Sequence, residues 1–296
     1  MDYIVRATAA DGSIRAFAGD LTHTVAKAAK IHGLYPVAAA ALGRTIIAAA
    51  LMASDMKNEK NSVSIIIKGG GPLGNIVVVA KADGTVKGYV DNPHVDLPLN
   101  KLGKLDVGGA VGIDGKLTVI KDLGLKEPYA GQIELVTGEI AEDLANYFWV
   151  SEQQPSVTAL GVLVNPDLTI KAAGGYIIQP LPGTSEDIID KIETQLARIP
   201  SISTMIDEGA SPEEVLETVL AGMEVKFNAR LPYEFRCDCS KERLEGVVLS
   251  LGYEEIGNLI KADGKAELVC HYCNTKYHFD RSELERLLEK ATEMTE

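Results

Sequence analysis

Four cysteines, and only four, constrain this chain more than any other feature. Cys237 and Cys239 stand in Arg-Cys-Asp-Cys-Ser, and Cys270 and Cys273 in Val-Cys-His-Tyr-Cys. The pattern is C-x-C, thirty intervening residues, then C-x-x-C. Thiolates at such spacing can close on one Zn²⁺ as a tetrahedral sulfur site. All four positions are then filled, and none is left for a water or a substrate. That points to structure or redox control rather than Lewis-acid catalysis. Two other readings stand beside it. A pair of constitutive disulfides suits an exported protein. A thioredoxin-like C-x-x-C opens a helix after an early strand, whereas Cys270 ends the strand-like run Ala266-Glu-Leu-Val-Cys270 and C-x-C is left unexplained. C-x-C is itself uncommon in plain structural zinc sites, and two close thiols can pair once a metal leaves. His271 would be a fifth ligand at a full site and reads as non-ligating.

A chain of 296 residues holds two or so domains, and 46% hydrophobic with 24% charged residues is ordinary globular composition. The start, Met-Asp-Tyr-Ile-Val-Arg, lacks the basic and apolar regions of a signal peptide. The apolar stretch Val37 to Ala53 is interrupted by Gly43, Arg44 and Thr45 and reads as too short to span a bilayer. The expectation is a cytoplasmic protein, where thiols stay reduced, with no membrane partner. Net charge is −13, of which residues 1–180 carry −2, 181–232 carry −6 and 233–296 carry −5. Zinc modules that grip phosphate backbones are basic. This acidic one argues against nucleic acid as a partner.

Gly69, Gly71 and Gly74 satisfy G-x-G-x-x-G by count, but the β-branched run Asn75-Ile-Val-Val-Val79 follows where a dinucleotide site needs a helix. The glycines read as a hairpin turn, with no nucleotide. Ser151 and Glu152 lie in no G-x-S-x-G and near no histidine, so no residue is assigned a catalytic role and the chain reads as no enzyme. Strand-like runs at 63–67, 75–79, 86–90, 117–120, 132–137, 157–164 and 168–178 follow an N-terminal hairpin that turns at Asp11-Gly12. Thr22 or Thr24 is placed to cap a first helix ending at Gly33. Pro36 opens a second, Ala-rich and apolar all round, to about Met56. A further helix spans 139–151. The fold class is α+β: a mostly antiparallel sheet domain with helices (1–180), a helical linker (181–232) and a small C-terminal zinc-binding module (233–296). Gln179-Pro-Leu-Pro-Gly183 marks the first boundary. The linker offers two capped amphipathic helices, 184–199 and 211–223. Ser211, Pro212 and Glu214 form a capping-box start for the second. In the module, Leu259 to Val269 reads as a hairpin turning at Asp263-Gly264, and Asp280 with Glu283 caps a last helix. A module of this size is marginal without a staple.

Cys-Asp-Cys-Ser and Cys-His-Tyr-Cys, followed by Tyr277, Phe279 and Asp280, resemble the redox-regulated bacterial heat-shock chaperone family of about 33 kilodaltons. Tyr147-Phe, Ser151-Glu-Gln, Pro155-Ser156, Leu160-Gly161-Val162 and Gly-Gly-Gly-Pro-Leu-Gly at 69–74 are similar to its N-terminal signature. The resemblance covers nearly the whole chain. It implies an ATP-independent holdase, inactive while reduced and zinc-bound through Cys237, Cys239, Cys270 and Cys273. It further implies that oxidant forms Cys237–Cys239 and Cys270–Cys273 disulfides, releases zinc and unfolds the module and linker. The exposed surface then binds unfolding client proteins, and the active form is a homodimer. The alternatives from other classes are a zinc-ribbon nucleic-acid binder and a thiol oxidoreductase.

Overall fold

The structure, a computed structural model, describes residues 1–293. The chain divides into two compact units, Met1–Arg236 and the residues from Cys237 onward.

The first unit opens with a hairpin, β1 (Tyr3–Ala9) and β2 (Ile14–Asp20), then α1 (Thr22–His32) and α2 (Pro36–Ala53). β3 (Ser62–Lys68), β4 (Asn75–Lys81), β5 (Thr85–Val90), α3 (Val107–Val111), β6 (Lys116–Asp122), β7 (Tyr129–Glu134) and α4 (Ala141–Val150) follow. Then come β8 (Val157–Val164), β9 (Ile170–Pro180), α5 (Glu186–Leu196), α6 (Ile202–Asp207), α7 (Pro212–Val219), β10 (Val225–Pro232) and β11 (Glu234–Phe235). Among the described residues these strands form two sheets, in the orders β10-β1-β2-β9-β8 and β11-β5-β4-β3-β6-β7. Every pairing is antiparallel except the short β11–β5 contact. The fold is α+β, as the alternating runs require.

α2 organises the core. It packs against β3, β4 and β5 of one sheet and β8 and β9 of the other. Its Ala-rich faces let both sheets approach closely, and side chains from Val37 to Ala53 are almost all buried. By length and composition alone this helix could cross a membrane, but it lies inside the fold. Thr45 satisfies its buried hydroxyl by donating to the Ala41 carbonyl at 2.9 Å. The glycine run at 69–74 turns β3 into β4, whose register runs from Ser62↔Lys81 to Lys68↔Asn75. A side chain at Gly69 would collide with the Val111 carbonyl oxygen, which explains the glycine there. The cap of α1 differs from expectation. Asp2, buried, accepts from the Thr24 amide at 2.6 Å, and Asp20 accepts from the Thr22 amide at 3.0 Å. Carboxylates supply the cap, and Thr22 and Thr24 donate to them.

Strand alternation gives the β10-β1-β2-β9-β8 sheet two apolar faces. Ile4 and Phe17 point to the α2 core. Val5, Ala7, Ala9, Ile14, Ala16, Tyr176 and Ile178 point the other way and are covered by Ile192 of α5, Met205 of α6, and Val215, Leu216 and Val219 of α7. α7 starts with the expected capping box. The Glu214 amide donates to Ser211 Oγ at 3.2 Å, and the Ser211 amide donates to Glu214 Oε2 at 2.7 Å. Polar contacts hold the same layer: Tyr3 donates to Glu213 at 2.7 Å, and Lys171 pairs with Asp207 at 2.6 Å. Residues 181–232 also contain a strand. β10 pairs with β1 from Tyr3↔Pro232 to Ala9↔Val225.

The second unit contains α8 (Lys241–Leu249), α9 (Tyr253–Ala262), β12 (Ala266–Val269), β13 (Lys276–Phe279) and α10 (Arg281–Glu293). β12 and β13 form an antiparallel hairpin. Of the hairpin expected to turn at Asp263-Gly264, the first arm is the end of α9 instead, and the second is β12, which pairs with β13. Ile256, Leu259 and Ile260 lie at helical spacing and face the small core of Val248, Phe279, Leu284 and Leu287. Gly264 only ends that helix, at φ +62°. Asp280 and Glu283 cap α10 reciprocally, at 2.9 and 3.1 Å.

Candidate metal centre

The two cysteine pairs are delivered by different local devices. Cys270 and Cys273 sit in the turn between β12 and β13. The Cys270 amide donates to the Thr275 carbonyl at 2.9 Å, closing the turn. The Cys273 and Asn274 amides both donate to the Cys270 carbonyl, at 3.3 and 2.8 Å. Asn274 takes a left-handed conformation, φ +55°, which asparagine tolerates better than most residues. The turn therefore folds both sulfurs to one side. Cys237 and Cys239 precede α8, whose N-cap is Ser240. Arg243, in the first turn, reaches back to the Asp238 carbonyl at 3.1 Å and its carboxylate at 3.0 Å. That clamp fixes the C-x-C loop from its middle residue.

The four sulfurs converge, all within 4.8 Å of one another. Cys237 and Cys270 Sγ stand 3.8 Å apart, and Cys239 and Cys273 Sγ 3.4 Å apart. Thiolates at about 2.3 Å from a central ion form a tetrahedron with edges of about 3.8 Å. The cluster matches that size, and its donors are all sulfur, so these four residues could hold a metal ion. The spacing of the cysteines anticipated this cluster.

Hydroxyl groups approach two of the sulfurs. Tyr277 Oη lies 3.1 Å from Cys239 Sγ, and Thr275 Oγ1 lies 3.2 Å from Cys273 Sγ. Tyr277 was expected in a returning strand, Lys276–Phe279, and in a family signature, and Thr275 was not singled out. Burial pushes the Cys237 and Cys270 thiols up. Burial also raises Cys273, but its contacts with the Thr275 hydroxyl and amide and with Cys239 and Cys270 together outweigh it, and the net value falls to about 7. The contact with Cys239 raises the Tyr277 phenol to about 12. Ser151 and Glu152 lie elsewhere. Glu152 accepts from Tyr147 at 2.8 Å and pairs with Lys121, which is structural work inside the first unit.

An α+β unit followed by a small unit built around four convergent thiols defines a class: a protein with a small cysteine module that could hold a metal ion. Residues 2–280 match the family model described as "Hsp33 protein". The chain belongs to that family. It is 50% identical over 290 residues to the "33 kDa chaperonin" of Caldanaerobacter subterraneus, covering 98% of this chain and 99% of that one. The "33 kDa chaperonin" of Alkaliphilus oremlandii is 52% identical over 284 residues, covering 96% and 95%. A crystal structure of the 33 kDa chaperonin from Thermotoga maritima superposes with a TM-score of 0.90 at 39% identity, covering 98% of this chain and 99% of that one.

Proposed function

We propose that this chain is a redox-regulated holdase of the cytoplasm, whose switch is Cys237, Cys239, Cys270 and Cys273 holding one Zn²⁺ while reduced. The observation that carries the reading is the convergence of the chain's only four thiols in a unit with so small a core. Bound there, Zn²⁺ would keep all four sulfurs as thiolates and contribute on the order of 10–16 kcal/mol of apparent binding free energy to folding.

The chain's own groups do the rest. Thiolate is the form that peroxide attacks. In the folded cluster sulfurs of opposite pairs stand 3.4 and 3.8 Å apart, so proximity alone does not select the partners. Loop length does. Once the module loosens, Cys237–Cys239 and Cys270–Cys273 close across one and two residues, while Cys239–Cys270 must first close a thirty-residue loop. Short-loop disulfides constrain an unfolded chain little, so they replace little of the lost stabilisation. The module melts. The linker helices then undock from the sheet face of Val5, Ala7, Ile14 and Ala16, and apolar surface opens to unfolding clients. The active form is a homodimer, and the process needs no nucleotide.

The test is light scattering by an unfolding client with reduced or peroxide-treated protein present. Suppression by the oxidised protein alone is expected, reversed by a thiol reductant with zinc. Equal suppression by both forms, or by neither, contradicts the proposal.

A further inference from the structure

We infer that β11 is a built-in plug on the edge of β5, and that the slot it leaves on activation takes an extended client segment of the same chemistry: two aromatic residues at i and i+2, followed by Lys or Arg. This rests on the redox-switch reading above. β11 pairs with β5 in parallel over two residues, Glu234↔Thr85 and Phe235↔Val86, where the other pairings of that sheet run over five to seven. Backbone bonds hold it in place. The amides of Tyr233, Glu234 and Arg236 donate to the carbonyls of Asp2, Gly84 and Val86 at 3.0, 2.9 and 2.9 Å. Its specificity lies in side chains. Tyr233 and Phe235 are 4% and 1% exposed, inside the core that α2 organises, while Glu234 between them is exposed. The Tyr233 hydroxyl donates to the Lys81 carbonyl at 3.3 Å, and the His32 and Phe235 rings meet edge to face with centroids 6.4 Å apart. Arg236 lies 3.8 Å from the Asp83 carboxylate. A cavity of about 440 Å³ opens beside Tyr233 and Phe235, so the slot is larger than its plug.

A sheet edge binds extended chain through its backbone groups and selects it through pockets for alternate side chains. β11 shows what this edge selects. Proteins losing their fold expose such segments, because large aromatic side chains are mostly buried in folded proteins. While the module is folded, Arg236 runs straight into Cys237, and β10 holds the other end of the plug on β1. The plug is then an intramolecular ligand at an effective concentration of about a millimolar, and a free segment does not displace it. Oxidation melts the residues after Arg236 and undocks the helices before β10. A two-residue strand with loose chain on both sides frays. Fraying uncovers the β5 edge, the aromatic slot and Asp83 together. A net charge of −13 opposes a second copy there and favours segments with a basic residue.

The probe is a fluorescein-labelled peptide copying residues 230–236, Arg-Leu-Pro-Tyr-Glu-Phe-Arg. Its anisotropy is read with the full-length protein, either reduced and zinc-loaded or peroxide-activated. The activated protein should bind it at least about ten-fold more tightly than a version with Ser at both aromatic positions, since buried aromatic anchors dominate such contacts. The reduced protein should bind it at least about ten-fold more weakly than the activated one, because the plug competes. A benzophenone in place of the Phe ring should crosslink to β5 or α1. Phe235→Ala, reduced and zinc-loaded, should bind the peptide without peroxide, and a folded variant that ignores it overturns the inference. If that variant does not fold, Asp83→Asn decides. Activated Asp83→Asn keeps an acceptor for the Thr85 amide and should lose about two- to five-fold of affinity for the peptide but none for a version ending in Gln. Unchanged affinity for both overturns the inference. Equal binding of the Ser version, or crosslinks only to the sheet face of Val5, Ala7 and Ile14, overturns it and leaves the switch standing. So does a dimer crosslinked through β5 whose slot is filled by β11 of the second copy and excludes the peptide. An oxidised protein that neither suppresses client aggregation nor binds the peptide overturns both the inference and the switch.

Discussion

A sulfur cluster of this kind is sensitive to single atoms. Replacing Cys270 by Ser substitutes a hydroxyl, a poor zinc ligand at neutral pH, at the most buried of the four positions. Cys270→Ser should hold well under one zinc per chain after dialysis against a weak chelator, by elemental analysis, and full occupancy would contradict a four-thiolate site. The cluster was legible because a metal site is written as ligand spacing. Its hydroxyl neighbours were not, because nothing in Thr275-Lys-Tyr277 says which side chain turns toward the sulfurs. A second residue-level expectation concerns pH. The Ser211 amide and hydroxyl hold the Glu214 carboxyl below the usual range. The stability this supplies is fully present above the ordinary glutamate pKa of about 4.3 and is lost as pH falls through the lower folded value. Thermal melts of wild type and Glu214→Gln should therefore differ most at neutral pH and converge only once pH has fallen through the lowered folded value. A gap that persists in acid would mean that the side chain acts through something other than its charge.

At the scale of elements, the linker helices pack an apolar stripe on the sheet. Leu216 is fully buried between α7 and the sheet. Leu216→Ala should cost about 2–5 kcal/mol of docking stability. In the reduced, zinc-loaded protein that should appear as partial client binding and stronger fluorescence of an apolar dye, and no change would argue that α7 covers nothing clients use. The periodicity of Val215, Leu216 and Val219 and the Ser211 cap made this helix readable. α9 was not, because the Asp263-Gly264 turn signal competed with the helical spacing of Ile256, Leu259 and Ile260. β10 was hidden for another reason. Its residues are mostly exposed, so its register comes from backbone pairing with β1 and not from an apolar pattern.

For the whole molecule, the division of labour can be tested by cutting the chain. We propose residues 1–180 as a folding domain. They keep α2 and strands of both sheets, but they lose β10 beside β1 and the cover over Val5, Ala7 and Ile14. A fragment of residues 1–180 should therefore melt cooperatively at a lower temperature than residues 1–236 and bind an apolar dye. A molten 1–180 would mean that the linker completes the core. On the proposed function, oxidation of the four thiols unfolds residues 237–293 and undocks α5–α7 from the sheet of their own unit. Hydrogen-exchange mass spectrometry of the reduced and the peroxide-activated protein addresses this directly. The account predicts that, on activation, residues 237–293 and helices α5–α7 lose protection while α2 and β3–β6 keep theirs, with Cys237–Cys239 and Cys270–Cys273 recovered as disulfide-linked peptides. An activated, client-binding protein whose α8–α10 amides stay as protected as in the reduced form would contradict it.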